Sequence, residues 1–165
     1  MSVAFHEQVL GILEAADAVR VIDELNDFLA GNMAPYRTKA RLRSSAGDWH
    51  WLDFQGTVLE KDANGKAVTV GGLLRDVTSE VREEAERKAA AALLERLSCR
   101  EAEVLVQITA GKTNKEAAAA LSLSPRTVEF YRSRLMQKLA VTDVAGLCRL
   151  VVTAQWTGAK HVSEK

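Results

Sequence analysis

From position 124 the chain reads Ser-Pro-Arg-Thr-Val-Glu-Phe-Tyr-Arg-Ser-Arg-Leu-Met-Gln-Lys. At helical spacing Val128, Leu135 and Leu139 fall on one stripe, with Tyr131 or Arg132 between them. The opposite face presents Glu129, Phe130, Ser133, Arg134 and Gln137, and Arg126, Arg132 and Lys138 add positive charge around it. Polar tips of this kind hydrogen-bond base edges and cations neutralise phosphates, which is the chemistry of a helix that reads DNA. A solvated basic helix carries the same residue types, so the face alone leaves both readings open.

Other chemistry finds little support. The Walker-type GxxxxGKS/T, the GxGxxG, the HExxH and the GxSxG patterns are all absent from the sequence. No nucleophile stands in a recognisable relation to a base, so an enzyme is not expected. Asp53 and Asp76 do not make a phospho-acceptor site, because the βαβ alternation of a receiver domain is missing. Cys99 and Cys148 lie far apart without CxxC spacing, which argues against a disulfide framework or a Cys-rich zinc site and for a reduced, cytoplasmic compartment. His6 and His50 could ligate haem in principle, but solvated or packed histidines are the favoured reading, and neither a cofactor nor a metal is expected.

The elements that must hold the basic helix are legible around it. Ser98-Cys99-Arg100-Glu101 is a Ser-x-x-Glu capping box that opens a helix with a buried stripe of Val104, Leu105 and Ile108, stopped by Gly111. Thr113 or Asn114 caps a short Ala-rich helix that ends near Leu121. Ser122-Leu123-Ser124 makes a tight turn, with Ser124 as the next cap and Pro125 suited to the first helical position. A last helix runs from Thr142 or Asp143 through Val152. Two short helices meeting at a three-residue turn form a helix-turn-helix.

The chain has 165 residues, 47% apolar and 27% charged, an ordinary globular balance. Twenty-two basic groups oppose twenty-two acidic ones, but not evenly along the chain. Residues 1–76 carry a net −3, residues 77–97 a net −1, residues 98–154 a net +3 and the tail +1. An acidic first part joined to a basic second part fits a nucleic-acid-binding module at the C-terminal end. No apolar run approaches the ~20 residues of a membrane-spanning helix, and the first residues do not read as a signal peptide, so no membrane partner is expected.

The first part reads as helices followed by strands. Val3, Val9, Leu10, Ile12 and Leu13 fit a helix over 3–15, and Val21, Ile22, Leu25, Phe28 and Leu29 fit a second over 17–30 with Asp17 as cap. Gly31, Asn32 and Pro35 end it. From Tyr36 the period becomes two, giving strands over 36–43, 49–60 and 66–76, joined by Ala46-Gly47-Asp48 and by Asp62-Ala63-Asn64-Gly65. Gly71-Gly72 marks a bulge or a close approach. Residues 78–97, rich in Ala, Glu and Leu, predict a helix that is either a plain linker or a signalling coiled coil. The expected fold class is α+β: N-terminal helices and a three-stranded antiparallel sheet, a linker helix, then an all-α four-helix unit. The expected divisions are 1–77, 78–97, 98–154 and a tail over 155–165.

Residues 97–150 resemble the LuxR-type helix-turn-helix, also found in FixJ- and NarL-like response regulators. The stretches that carry this are LSCREAEVL, GKTNKEAAAALSLSPRTVEFYRSRLMQKL and VAGLCRLVV. The resemblance implies a transcription regulator whose partner is double-stranded DNA, with RNA polymerase as a further possible partner. It places Lys115, Ser124, Arg126, Thr127, Arg132 and Lys138 near the phosphate backbone. Glu129, Phe130, Ser133 and Arg134, on the outward face, are the candidates for base readout. The chain departs from the family pattern at Phe130-Tyr131, where a small apolar residue and His are usual. Residues 36–78 similarly resemble the C-terminal half of a PAS domain, with 7–35 as the helical stretch before it. That implies a truncated PAS core of three strands, in which Asp76 orients the following helix. A homodimer is expected, because one helix-turn-helix buries little surface and paired half-sites make up the difference. Its candidate contacts are Trp49 and Trp51 in the sheet, and Val144, Leu147, Leu150 and Val151 in the last helix. Two other readings remain: a regulator that acts by heterodimerising with a related transcription factor, and a small-molecule sensor.

Overall fold

The computed structural model describes residues 11–32 and 35–158. Among these residues lie six helices and one antiparallel sheet, in an α+β arrangement that follows the expected order. The helices are α1 (Ala15–Leu29), α2 (Thr78–Glu95), α3 (Cys99–Thr109), α4 (Asn114–Leu121), α5 (Pro125–Lys138) and α6 (Val144–Thr153). The strands are β1 (Tyr36–Arg43), β2 (Trp49–Lys61) and β3 (Ala67–Asp76), in the order β1-β2-β3. The chain forms two compact units, and the division falls between Val81 and Arg82, inside α2.

In the first unit the predicted helix over 3–15 lies mostly outside the described residues. Its described end is not helical. Leu13 bridges Leu42, Glu14 N–H donates to the Arg41 carbonyl at 2.9 Å and Arg43 N–H to the Ile12 carbonyl at 2.7 Å. This short extended piece satisfies polar groups on the outer edge of β1, which would otherwise stay unpaired. The cap of α1 is Glu14 rather than Asp17, and its carboxylate accepts from Ala16 N–H at 2.8 Å. Asp17 is instead buried against β1, accepting Arg41 N–H at 3.0 Å and Arg41 Nε–H at 2.9 Å. A carboxylate with a guanidinium partner across the interface gains more there than at a wet helix end.

The alternation expected in β1 is present: Tyr36 and Ala40 are buried while Arg37, Lys39 and Arg43 are exposed. Phe28 of α1 stacks on Tyr36 with ring centroids 5.3 Å apart, and Tyr36 meets Phe54 at 5.5 Å. Two paired glycines make room for the third ring. Gly56 stands opposite Gly72, and a Cβ on Gly72 would lie 2.6 Å from the Gln55 carbonyl oxygen and 2.9 Å from the Phe54 ring. Gly72 is thus the close approach, and the bulge lies elsewhere, between Val58 and Lys61. At the sheet's exit, Thr78 ties α2 to β2. Its hydroxyl accepts Trp51 N–H at 2.9 Å, while Asp76 accepts Thr78 N–H at 2.9 Å and sits 2.8 Å from His50 Nδ1. His50 is therefore engaged in this junction, and His6 lies outside the described residues. Its bonds from Thr78, and then from His50, hold the Asp76 carboxyl down at about 2.

Among the described residues the second unit has a single apolar core. Leu94, Ala102, Val104, Leu105, Ala117, Val128, Leu135 and Leu147 are almost completely buried in it. Ala90, Leu94 and Leu97 belong to this core, so the C-terminal end of α2 packs within the unit. No described helix is long and apolar enough to cross a membrane.

Gly72→Ala should destabilise the first unit by about 1–3 kcal/mol, because the added methyl has only backbone and an aromatic ring to displace. Urea unfolding followed by tryptophan fluorescence measures this, and an unchanged midpoint would contradict the close-approach account.

Candidate nucleic-acid interface

Local chemistry fixes the turn between α4 and α5. Ser98 and Glu101 form the predicted capping box of α3, and Thr113 with Glu116 forms a second one at α4. The α4 box fixes Thr113 as the cap. Gly111, at φ +80°, ends α3 as expected. The turn between α4 and α5 opens on Ser122, which adopts the left-handed conformation at φ 54°, with Leu123 N–H reaching back to the Ala118 carbonyl at 2.9 Å. Ser124 then caps α5: its hydroxyl accepts Thr127 N–H at 3.1 Å and shares a 2.8 Å bond with the Thr127 hydroxyl. Pro125 occupies the first turn. Ala117 and Ala118 are buried at the α4–α5 contact, where small side chains allow close packing.

This arrangement buries Val128, Leu135 and Leu139 of α5 and turns the other face outward. Arg126, Glu129, Phe130, Ser133, Arg134 and Gln137 are exposed on it, and Thr127, Arg132 and Lys138 are half-buried along its sides. Lys115 is exposed in the first turn of α4 and Ser124 at the turn. Phe130 keeps 60% of its surface in solvent and meets Tyr131 edge-on at 5.7 Å. All the candidate base-reading residues therefore share one solvent-facing surface. A helix whose exposed centre offers an aromatic ring, hydroxyls, an amide and guanidinium groups can meet the edges and methyl groups of bases.

Two of the cations are already engaged within the protein. Lys138 Nζ donates to Glu101 Oε2 at 2.7 Å, and Arg134 Nε lies 3.1 Å from Glu101 Oε1. Glu101 itself is buried, and Oε2 also accepts Ser98 N–H at 2.9 Å and Ser98 O–H at 3.0 Å. Burial pushes this carboxyl up, but the bonds from Lys138 and Ser98 and the Lys138 charge outweigh it and hold it below the usual carboxylate range. The sequence marked Glu101 only as a cap. Its second role across to α5 had no local signal.

The candidate dimer contacts are scattered. Trp49 is about half exposed, while Trp51 is half-buried with the Arg41 guanidinium 5.4 Å over its ring. In α6, Leu147 is fully buried in the unit's own core, which corrects its assignment as a contact with a second chain. Val144, Leu150 and Val151 are half-buried against the same core. Besides Trp49, exposed apolar side chains include Val68, Leu73 and Leu74 of β3 and Val152 of α6.

Residues 95–151 match the model of the luxR family of bacterial regulatory proteins, and residues 3–74 match the model of the PAS fold. The chain thus carries a segment similar to the PAS fold followed by one similar to the luxR-family regulatory proteins. It is similar to a putative transcriptional regulator of Pseudomonas aeruginosa, 41% identical over 88 residues, which are 50% of this chain and 40% of that protein. It is also similar to the transcriptional regulatory protein FixJ of Bradyrhizobium diazoefficiens, 33% identical over 98 residues, or 58% of this chain and 48% of that one. Among solved structures, full-length FixJ from B. japonicum matches at 35% identity and a TM-score of 0.45, over 47% of this chain and 38% of that chain. The chain therefore spans less than half the length of these curated relatives.

The Glu101 pairing has a pH signature. Its folded-state pKa lies below the ordinary value of 4.5, so its contribution to stability is complete above about pH 4.5 and is lost as the pH falls through the folded value. Urea-unfolding free energies should fall more steeply between about pH 5 and pH 3 in the wild type than in Glu101→Gln. Identical pH slopes would contradict the assignment.

Proposed function

We propose that this chain is a cytoplasmic transcription regulator that binds operator DNA as a homodimer, with α5 in the major groove. The observation that carries the reading is the outward face of α5, which gathers Glu129, Phe130, Ser133, Arg134 and Gln137 on the helix that follows the short Ser122–Ser124 turn. On this reading Phe130 contacts a thymine methyl, while Ser133 and Arg134 reach base edges. Lys115, Ser124, Arg126, Thr127 and Arg132 border that face and neutralise or hydrogen-bond phosphates. Lys138 lies at the rim with its ammonium committed to Glu101. The family match over 95–151 supports the same assignment. RNA polymerase is a natural further partner for a regulator of this kind.

The N-terminal unit would supply the dimer. Its β3 edge has no strand partner among the described residues, and Leu73 and Leu74 on it are exposed. An uncovered apolar edge strand is a surface that natural proteins cover. A second reading, as a sensor of a small apolar molecule, is favoured by an open groove of about 240 Å³ between α1 and the sheet. Its lining includes Leu25, Tyr36, Leu52, Phe54 and Leu74. The two readings are compatible, since a ligand there would regulate a DNA-binding dimer.

Selection of random duplexes by the full chain should enrich a two-fold-related site, and Arg126→Ala should lower the slope of log affinity against log salt by about one. No enriched sequence, or an unchanged slope, would count against the reading. Sedimentation of the full chain at micromolar concentration should give a dimer. A monomer would refute the homodimer.

A further inference from the structure

We propose that Glu101 is a positioning residue for DNA reading: its buried carboxylate holds the Arg134 guanidinium by the Nε side and turns the terminal nitrogens outward to a base edge. The inference rests on the DNA-binding reading of α5 and adds to it a residue that lies outside the recognition helix.

Capping alone does not explain the burial of Glu101. The α4 box, Thr113 with Glu116, has the same geometry, yet Glu116 is exposed and takes no cation from α5. In the α3 box both Ser98 bonds fall on Oε2, which also takes Lys138. That leaves Oε1 free of the cap. It is buried without a hydrogen bond among the described residues, and Arg134 Nε stands 3.1 Å away, not aligned to donate. A buried carboxylate oxygen next to a guanidinium is an incomplete pair, which a small side-chain rotation would complete.

The division of labour follows from spacing. Arg134 and Lys138 are four residues apart, so both reach one carboxylate from one side of α5. Lys138 fixes the carboxylate, while Arg134 keeps 58% of its side chain in solvent beside Phe130, Ser133 and Gln137. Among the described residues its terminal nitrogens have no partner other than this contact through Nε. A free arginine on a helix surface samples many rotamers, and ordering it on binding costs affinity. An arginine whose Nε closes onto a fixed carboxylate presents its terminal fork in one orientation, which is the geometry that a guanine edge accepts.

The test uses the full chain and the DNA site that it selects, with each base pair varied in turn. Glu101→Gln keeps the volume and the oxygen that caps Ser98 but removes the charge. It should lose about tenfold discrimination at the same base pair at which Arg134→Gln loses it. In the Arg134→Gln background it should change that discrimination no further. Equal weakening on every sequence, additive effects of the two substitutions, or wild-type discrimination would each overturn the proposal. In the wild type, without DNA and without any variant, the Arg134 Nε–H resonance should be ordered and should shift as Glu101 titrates. A motionally averaged resonance that ignores that titration would overturn it as well. Selection of no DNA by the wild type would remove the DNA-binding reading itself, an outcome separate from the state of the Arg134 resonance.

Discussion

A carboxylate buried at the start of α3 needs neutralising charge, and the one cation of α3, Arg100, is paired with Glu103 instead. Glu101 obtains it from Lys138 and Arg134, at the far end of a helix that begins 24 residues later. Such a pair is a directional constraint, whereas apolar packing is tolerant of rotation. With Val128, Leu135 and Leu139 in the core and two cations on one carboxylate, α5 has one rotational setting about its axis. That setting turns Phe130, Ser133 and Gln137 to solvent. The capping hydroxyls of Thr113 and Ser124 and the left-handed Ser122 fix the turn before it. The outward face of α5 is thus a consequence of how the opposite side of the helix is held.

The N-terminal unit is organised by a different constraint. Three rings, Phe28, Tyr36 and Phe54, run from α1 across the sheet, and the paired glycines 56 and 72 give the third ring its place. Aromatic rings bury large apolar areas, and Phe28 and Tyr36 join Leu13, Val21, Ala40 and Val77 in the core of the unit. Asp76, Thr78, Trp51 and His50 then form a polar junction that connects the end of the sheet to the start of α2. Both units therefore place a charge-paired carboxylate where a helix begins, at Asp76 and at Glu101.

Much of this is local and so was legible in the sequence. Ser98 and Glu101, Ser124 and Pro125, and the alternation from Tyr36 each act within four residues, and each element they imply is present. Spacing alone also separates Val128, Leu135 and Leu139 from the outward face. What escaped is non-local or lacks a residue signature. Asp17 has the composition of a cap, but its partner Arg41 is 24 residues away. Leu13 continues a helical period yet pairs with Leu42, because β1 has an edge to satisfy. Ser122 and Ala140 take left-handed conformations that usually announce themselves as glycine. Leu147 has the spacing of an exposed seam, and nothing in one helix's sequence tells such a seam from its own core.

The central claim is that the outward face of α5 is the surface that meets DNA. Amide chemical-shift mapping of the full chain with its selected duplex tests it most directly. The account predicts that the largest perturbations fall on residues 124–137 and on the first turn of α4 around Lys115. Perturbations centred on α6 or on the sheet, with α5 unmoved, would contradict it.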